Sequence, residues 1–92
     1  MLDENKLALL EEMASCFFNL EQIATALQVD QLELQGKLFR SCETPEQLAY
    51  NRGMLLQEAK VRKSIFKAAA DGSGPAQVLA MKLIDNHKLD ML

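Results

Sequence analysis

The chain has no tryptophan, one tyrosine, one histidine, two prolines and two cysteines among its 92 residues. Few aromatic and β-branched residues leave little material for strands, and few prolines leave long stretches uninterrupted, so the composition predicts an all-α fold. Cys16 and Cys42 lie far apart, outside any CxxC pattern, and His87 is the sole histidine, so no metal ligand set is expected. Cys16, beside Phe17 and Phe18, reads as a small core residue, and Cys42 as a bystander near a turn. No apolar run approaches the ~18 residues of a membrane span. The start, with Asp3, Glu4 and Lys6, lacks the basic flank and apolar stretch of a secretory leader, so a cytoplasmic location is expected. A Ser/His/Asp set, a phosphate loop following a strand and clustered carboxylates beside a base are all missing. The expectation is a protein that is not an enzyme and needs no cofactor.

What is present is aliphatic. Hydrophobic residues make up 49% of the chain, enough for a core in one small domain or a domain with an extended arm. A chain this short buries a modest share of its surface, and oligomerisation is a common remedy. The net charge of -3 is unevenly spread. Residues 1–45 hold eight acids against three bases, and residues 46–92 five acids against seven bases. Attraction to phosphate therefore has its source in the second half.

Five helices are predicted. In the first, over residues 4–16, Leu7, Leu10, Met13, Ala14 and Phe17 form one apolar stripe, and Asp3 caps it. Asn19 with Gln22 makes a capping-box pattern for the second, whose stripe is Leu20, Ile23, Ala24 and Leu27. Asp30, followed by Glu33, opens the third, with Leu34 and Leu38 inward. Thr44, Pro45 and Gln47 mark the start of a long fourth helix over 45–70. Gly72 ends it, Ser73 or Gly74 caps a fifth helix, and Pro75 starts it. That last helix runs to about Lys88, with Ala76, Leu79, Ala80, Leu83 and Ile84 on one face. The layout is a three-helix unit over 1–43 and an antiparallel hairpin of a long and a shorter helix over 44–92.

"LEQIATALQVDQLELQGKL" fills most slots of a helix-turn-helix. Ala24 is the small residue at the crossing, Val29 plugs the turn, Asp30 caps the next helix, and Leu34 and Leu38 anchor it. Gln28 stands where glycine is usual. The outward face of the third helix is Gln31, Glu33, Gln35, Gly36, Lys37 and Arg40; Gln reads adenine edges, Lys and Arg read guanine or hold phosphate, and Glu33 accepts from cytosine. Leu32 meets a thymine methyl or packs inward. Two readings stay open for this face, contact with double-stranded DNA or the solvated side of a small bundle.

The long helix carries two apolar stripes. Leu48, Leu55, Ala59, Phe66 and Ala69 are expected to serve the local core and the fifth helix. Met54, Val61, Ile65 and Ala68 have no evident cover and read as a surface for a second copy, unless the other helices cover both. Lys60, Arg62, Lys63 and Lys67 are candidate phosphate contacts or a solvated face with a Glu58–Arg62 pair.

Together with "YNRGMLLQEAKVRKSIFKAAADGSGPAQVLAMKL", the helix-turn-helix stretch resembles the small terminase subunits of tailed phages and their prophage relatives, the DNA-packaging recognition proteins. The likeness covers most of residues 19–83 and rests on the order and spacing of its parts. It implies recognition of DNA at a packaging site, self-assembly into a ring through the helical hairpin, and delivery of DNA to a large ATP-hydrolysing subunit in a bacterial host or phage-infected cell. On that likeness Gln31, Gln35, Lys37 and Arg40 take recognition-helix positions, Arg52 and Gly53 match an Arg-Gly step, and Gly72 matches the turn. The chain departs from the family in Gln28, in lacking a tryptophan in its last helix and in its acidic first half, and the portion that meets other packaging components is expected to be minimal. Two alternatives remain: a small dimeric transcription regulator with the same head, and a helical protein-binding module that does not touch DNA.

Overall fold

Each helix starts where a side chain caps it. The computed structural model describes residues 2–39 and 43–91, and in these it contains five helices and no strand. They are α1 (Glu4–Ser15), α2 (Leu20–Leu27), α3 (Gln31–Leu38), α4 (Pro45–Ala70) and α5 (Gly74–Asp90). Asp3 accepts from the Lys6 N–H at 2.8 Å and Asp30 from the Glu33 N–H at 3.1 Å. Asn19 and Gln22 make both halves of the expected capping box. At α4, Thr44 Oγ1 accepts from the Gln47 N–H at 3.0 Å and donates to the Lys37 carbonyl at 2.8 Å. The cap thus also fastens the start of α4 to the end of α3. The Gln47 amide oxygen has no partner, so the reciprocal half of that box is not made. Ser73 caps α5, as expected, and Gly72 turns the chain at φ 101°.

The chain divides into two compact units, Met1–Gln57 and Glu58–Leu92, and the division falls inside α4. The first part of α4, read from sequence as hairpin, therefore belongs to the first unit. That unit holds the larger core: Leu10, Ile23, Leu27, Leu34 and Leu38 are fully buried, with Leu7, Met13, Val29, Ala49 and Tyr50 packed against them. Burying one such leucine contributes about 1.5–3 kcal/mol. In the second unit only Ala76 and Ala80 are buried among the described residues. Ile65, Ala68, Ala69 and Leu83 are half-buried.

Three burial expectations change. The chain leaves α1 after Ser15, and Phe17 adopts a left-handed backbone (φ 57°) that leaves its ring 54% exposed, outside the α1 stripe. Cys16, at the same helix end, is exposed rather than in the core; Cys42 lies outside the described residues. On α5, Leu79 and Ile84 are exposed, because the small residues Ala76 and Ala80 take the inner positions.

Among the described residues, no helix is long and apolar enough to cross a membrane.

Candidate nucleic-acid interface

The turn between α2 and α3 is three residues long. Gln28 holds φ 59° and ψ 44°, the left-handed region, and ends α2 with its N–H directed at the Ala24 and Thr25 carbonyls. The Val29 N–H donates to the Ala24 carbonyl at 3.0 Å. Glutamine thus takes the conformation usually given to glycine, held by these bonds and by Leu27 and Leu34 on either side. Leu34 and Leu38, both 1% exposed, fix which side of α3 faces the core.

Around that buried pair, α3 leaves Gln31, Glu33, Gln35 and Gly36 exposed to solvent. A Cβ placed on Gly36 would meet nothing within 4 Å, so the space there is open. Leu32 is 76% exposed, so of its two expected placements the inward one does not occur. Lys37 is less free than the sequence implied. Its ammonium lies 3.5 Å from the Glu33 carboxylate, one turn back, and its side chain is mostly covered. Arg40 lies outside the described residues. Within α3 the one cation is therefore balanced by an anion, and the outward chemistry is that of two amides.

Lys37 also acts toward the core. Glu46, in the first turn of α4, is the one buried charged residue of the first unit among the described residues, 3% exposed. Burial pushes its carboxyl pKa up. Hydrogen bonds from its own N–H and the Leu2 N–H, together with the Lys37 charge, more than offset that, and the net shift is downward. The Leu2 N–H donates to Glu46 Oε1 at 3.1 Å and ties the start of the chain to α4. Nothing in the sequence pattern marks this carboxylate, since a glutamate at that position is an ordinary first-turn residue.

Sequence reading also missed a close contact between α1 and α4. A Cβ at Gly53 would collide with the Glu11 carbonyl and lie 3.1 Å from the Ala14 Cβ. Beside it, Arg52 pairs with Glu11 at 3.6 Å. The glycine inside a long helix was the available signal, because a helical glycine costs about 1 kcal/mol unless something needs the space. Phe39 stands edge-on to Tyr50, with ring centroids 6.4 Å apart.

Apart from half-buried Ala69 and exposed Val61, the two stripes of α4 are covered the other way round from the expectation. Leu48, Leu55 and Phe66 are 53%, 64% and 41% exposed. Met54, Ile65 and Ala68 are half-buried, and Val61 alone of that stripe is exposed. The core of each unit uses one side of the helix, and the volume of the side chain does not decide which. Lys60, Arg62, Lys63 and Lys67 are all exposed in the second unit.

Compared with family models, with curated proteins and with solved structures, the chain matches none.

Proposed function

We propose that the protein is a non-enzymatic, cytoplasmic DNA-binding helix-turn-helix protein of the phage-packaging type, and that it acts as an assembly of copies. One observation carries the reading: a three-residue turn, with Gln28 left-handed and Val29 bonded back to Ala24, joins two eight-residue helices and leaves Gln31 and Gln35 exposed on the second. Those amides contact base edges of double-stranded DNA, and Lys60, Arg62, Lys63 and Lys67 contribute phosphate contacts. The second unit supports self-association: Val61, Phe66, Val78 and Met81 stay exposed over a core of two buried alanines. Several copies multiply a weak single head, and a large ATP-hydrolysing subunit is the partner that the family resemblance implies.

Retardation of double-stranded DNA at about 50 mM salt, where phosphate contacts are strongest, tests the reading. A shift is expected, weakened by Gln35→Ala and by the double change Lys60→Ala, Lys63→Ala. Each lost phosphate contact lowers the salt slope by about one. A second reading, a protein-binding module, is favoured by the acidic first unit and the Glu33–Lys37 pairing. Absence of any shift at low salt selects it over DNA binding.

A further inference from the structure

Residue types alone allot α3 a reader for each of the four bases. Glutamine suits adenine, an apolar side chain the thymine methyl, Lys37 guanine and Glu33 cytosine. The folded helix does not leave all four available. The Lys37 ammonium lies 3.5 Å from the Glu33 carboxylate, and the Lys37 side chain is only 22% exposed. Its charge also bears on buried Glu46. The one basic side chain of α3 is thus drawn to the core and to the one acidic side chain of the same helix. A guanine contact by Lys37, or a cytosine contact by Glu33, has to break that pair.

What stays exposed is selective. Leu32 is 76% exposed, and Gln31 and Gln35 are exposed as well. At about 100° per residue, Gln31, Gln35, Leu32 and Gly36 follow one another within an arc of about 140°. Glu33 and Lys37 lie beyond Gly36, on the other edge of the exposed side. Gly36 has open space where a side chain would stand, so the helix backbone can come close to a base edge there. Gln31 and Gln35 are about 6 Å apart along the axis, close to two base-pair steps of about 3.4 Å each. Leu32 falls between them in height. Amide, apolar side chain and amide over that length match a short run of A·T pairs. Adenine offers each amide the N7 acceptor and the N6 donor, and thymine offers the leucine its C5-methyl group.

We infer, on the DNA-binding reading above, that α3 reads A·T base pairs in the major groove, with Gln31 and Gln35 on adenine and Leu32 on the thymine methyl. The exposed bases of α4 hold phosphates of any sequence and add affinity without preference. Preference for one base pair over another is then a property of α3.

Retardation of four duplexes of equal length by the full-length chain tests this. One is all A·T, one all G·C, one A·T with uracil in place of thymine, and one A·T with 7-deazaadenine, which lacks the N7 acceptor. The wild type is expected to bind A·T about tenfold or more tightly than G·C, the discrimination of one bidentate pair. Uracil, which lacks the methyl group, weakens binding about fourfold, and 7-deazaadenine weakens it about fivefold. Leu32→Ala binds the thymine and uracil duplexes alike, and Gln35→Ala narrows the loss caused by 7-deazaadenine. Both side chains are exposed, so both variants keep their helical circular dichroism. Lys63→Ala weakens all four duplexes to the same extent and keeps the A·T preference. Equal affinity of the wild type for A·T and G·C, or a preference for G·C, overturns the inference and leaves DNA binding standing. An A·T preference untouched by uracil, 7-deazaadenine and both α3 variants comes from duplex shape and overturns it too. A chain that retards none of the duplexes at about 50 mM salt removes DNA binding itself, and the base preference with it.

Discussion

Gly53 and Glu46 are the residues whose roles depend most on neighbours distant in sequence. Gly53 lets α4 approach the Glu11 carbonyl, and no rotamer change relieves a clash with backbone. Gly53→Ala is therefore expected to destabilise the protein by about 1–3 kcal/mol, despite the better helix propensity of alanine. Gly36→Ala is the control, because a Cβ there meets nothing and the gain is up to about 1 kcal/mol. Urea unfolding midpoints of the two variants should move in opposite directions. Glu46 gives a pH signature. Its folded pKa lies below its unfolded one, so its contribution is fully present above the usual glutamate range. It is lost as the pH falls through the lowered folded value. Thermal melts followed from neutral pH to about pH 3 should show the wild type losing more stability than Glu46→Gln, which starts lower and changes less. Equal acid sensitivity in the two proteins would remove Glu46 as the cause.

At the scale of elements, helix starts were the most legible feature. Asp3, Asn19, Asp30, Thr44 and Ser73 each cap the helix that local sequence assigned to them, because a cap bond reaches only two or three residues. Helix ends were less so. Phe17 continues the α1 periodicity, yet the chain turns before it at a left-handed backbone that no glycine announces. Gln28 repeats that situation at the α2–α3 turn. Left-handed backbone costs a non-glycine residue about 1–2 kcal/mol, partly offset on replacement by the greater freedom of glycine in the unfolded chain. Gln28→Gly is expected to raise stability by up to about 1 kcal/mol, and Gln28→Val to lower it, since β-branching makes that conformation worse. If denaturant midpoints rank valine at or above glutamine, the turn does not hold this geometry in solution.

For the whole molecule, two compact units of unequal core quality share one long helix. The first buries large aliphatic side chains and the second mainly alanines. A unit with so small a core gains little from burial alone, and the exposure of Val61, Phe66, Val78 and Met81 is the basis of the proposed self-association. The division of charge follows the same boundary, negative in the first unit and positive in the second. That asymmetry underlies the phosphate contacts proposed for the second unit.

Local sequence determined the all-helical class, the five starts, the turn at Gly72 and the inward residues of α2 and α3. Caps, glycine turns and apolar spacing act over a few residues and are therefore written along the chain. Tertiary structure alone decided that Glu46 is buried against Leu2 and that Gly53 admits the Glu11 backbone. It also decided that Leu48 and Leu55, not Met54 and Ile65, form the more open stripe of α4. A helix with apolar residues on two sides does not specify which side its neighbours will cover. That choice is made by how α1 packs and by where the chain turns back, and both depend on contacts between residues far apart in sequence.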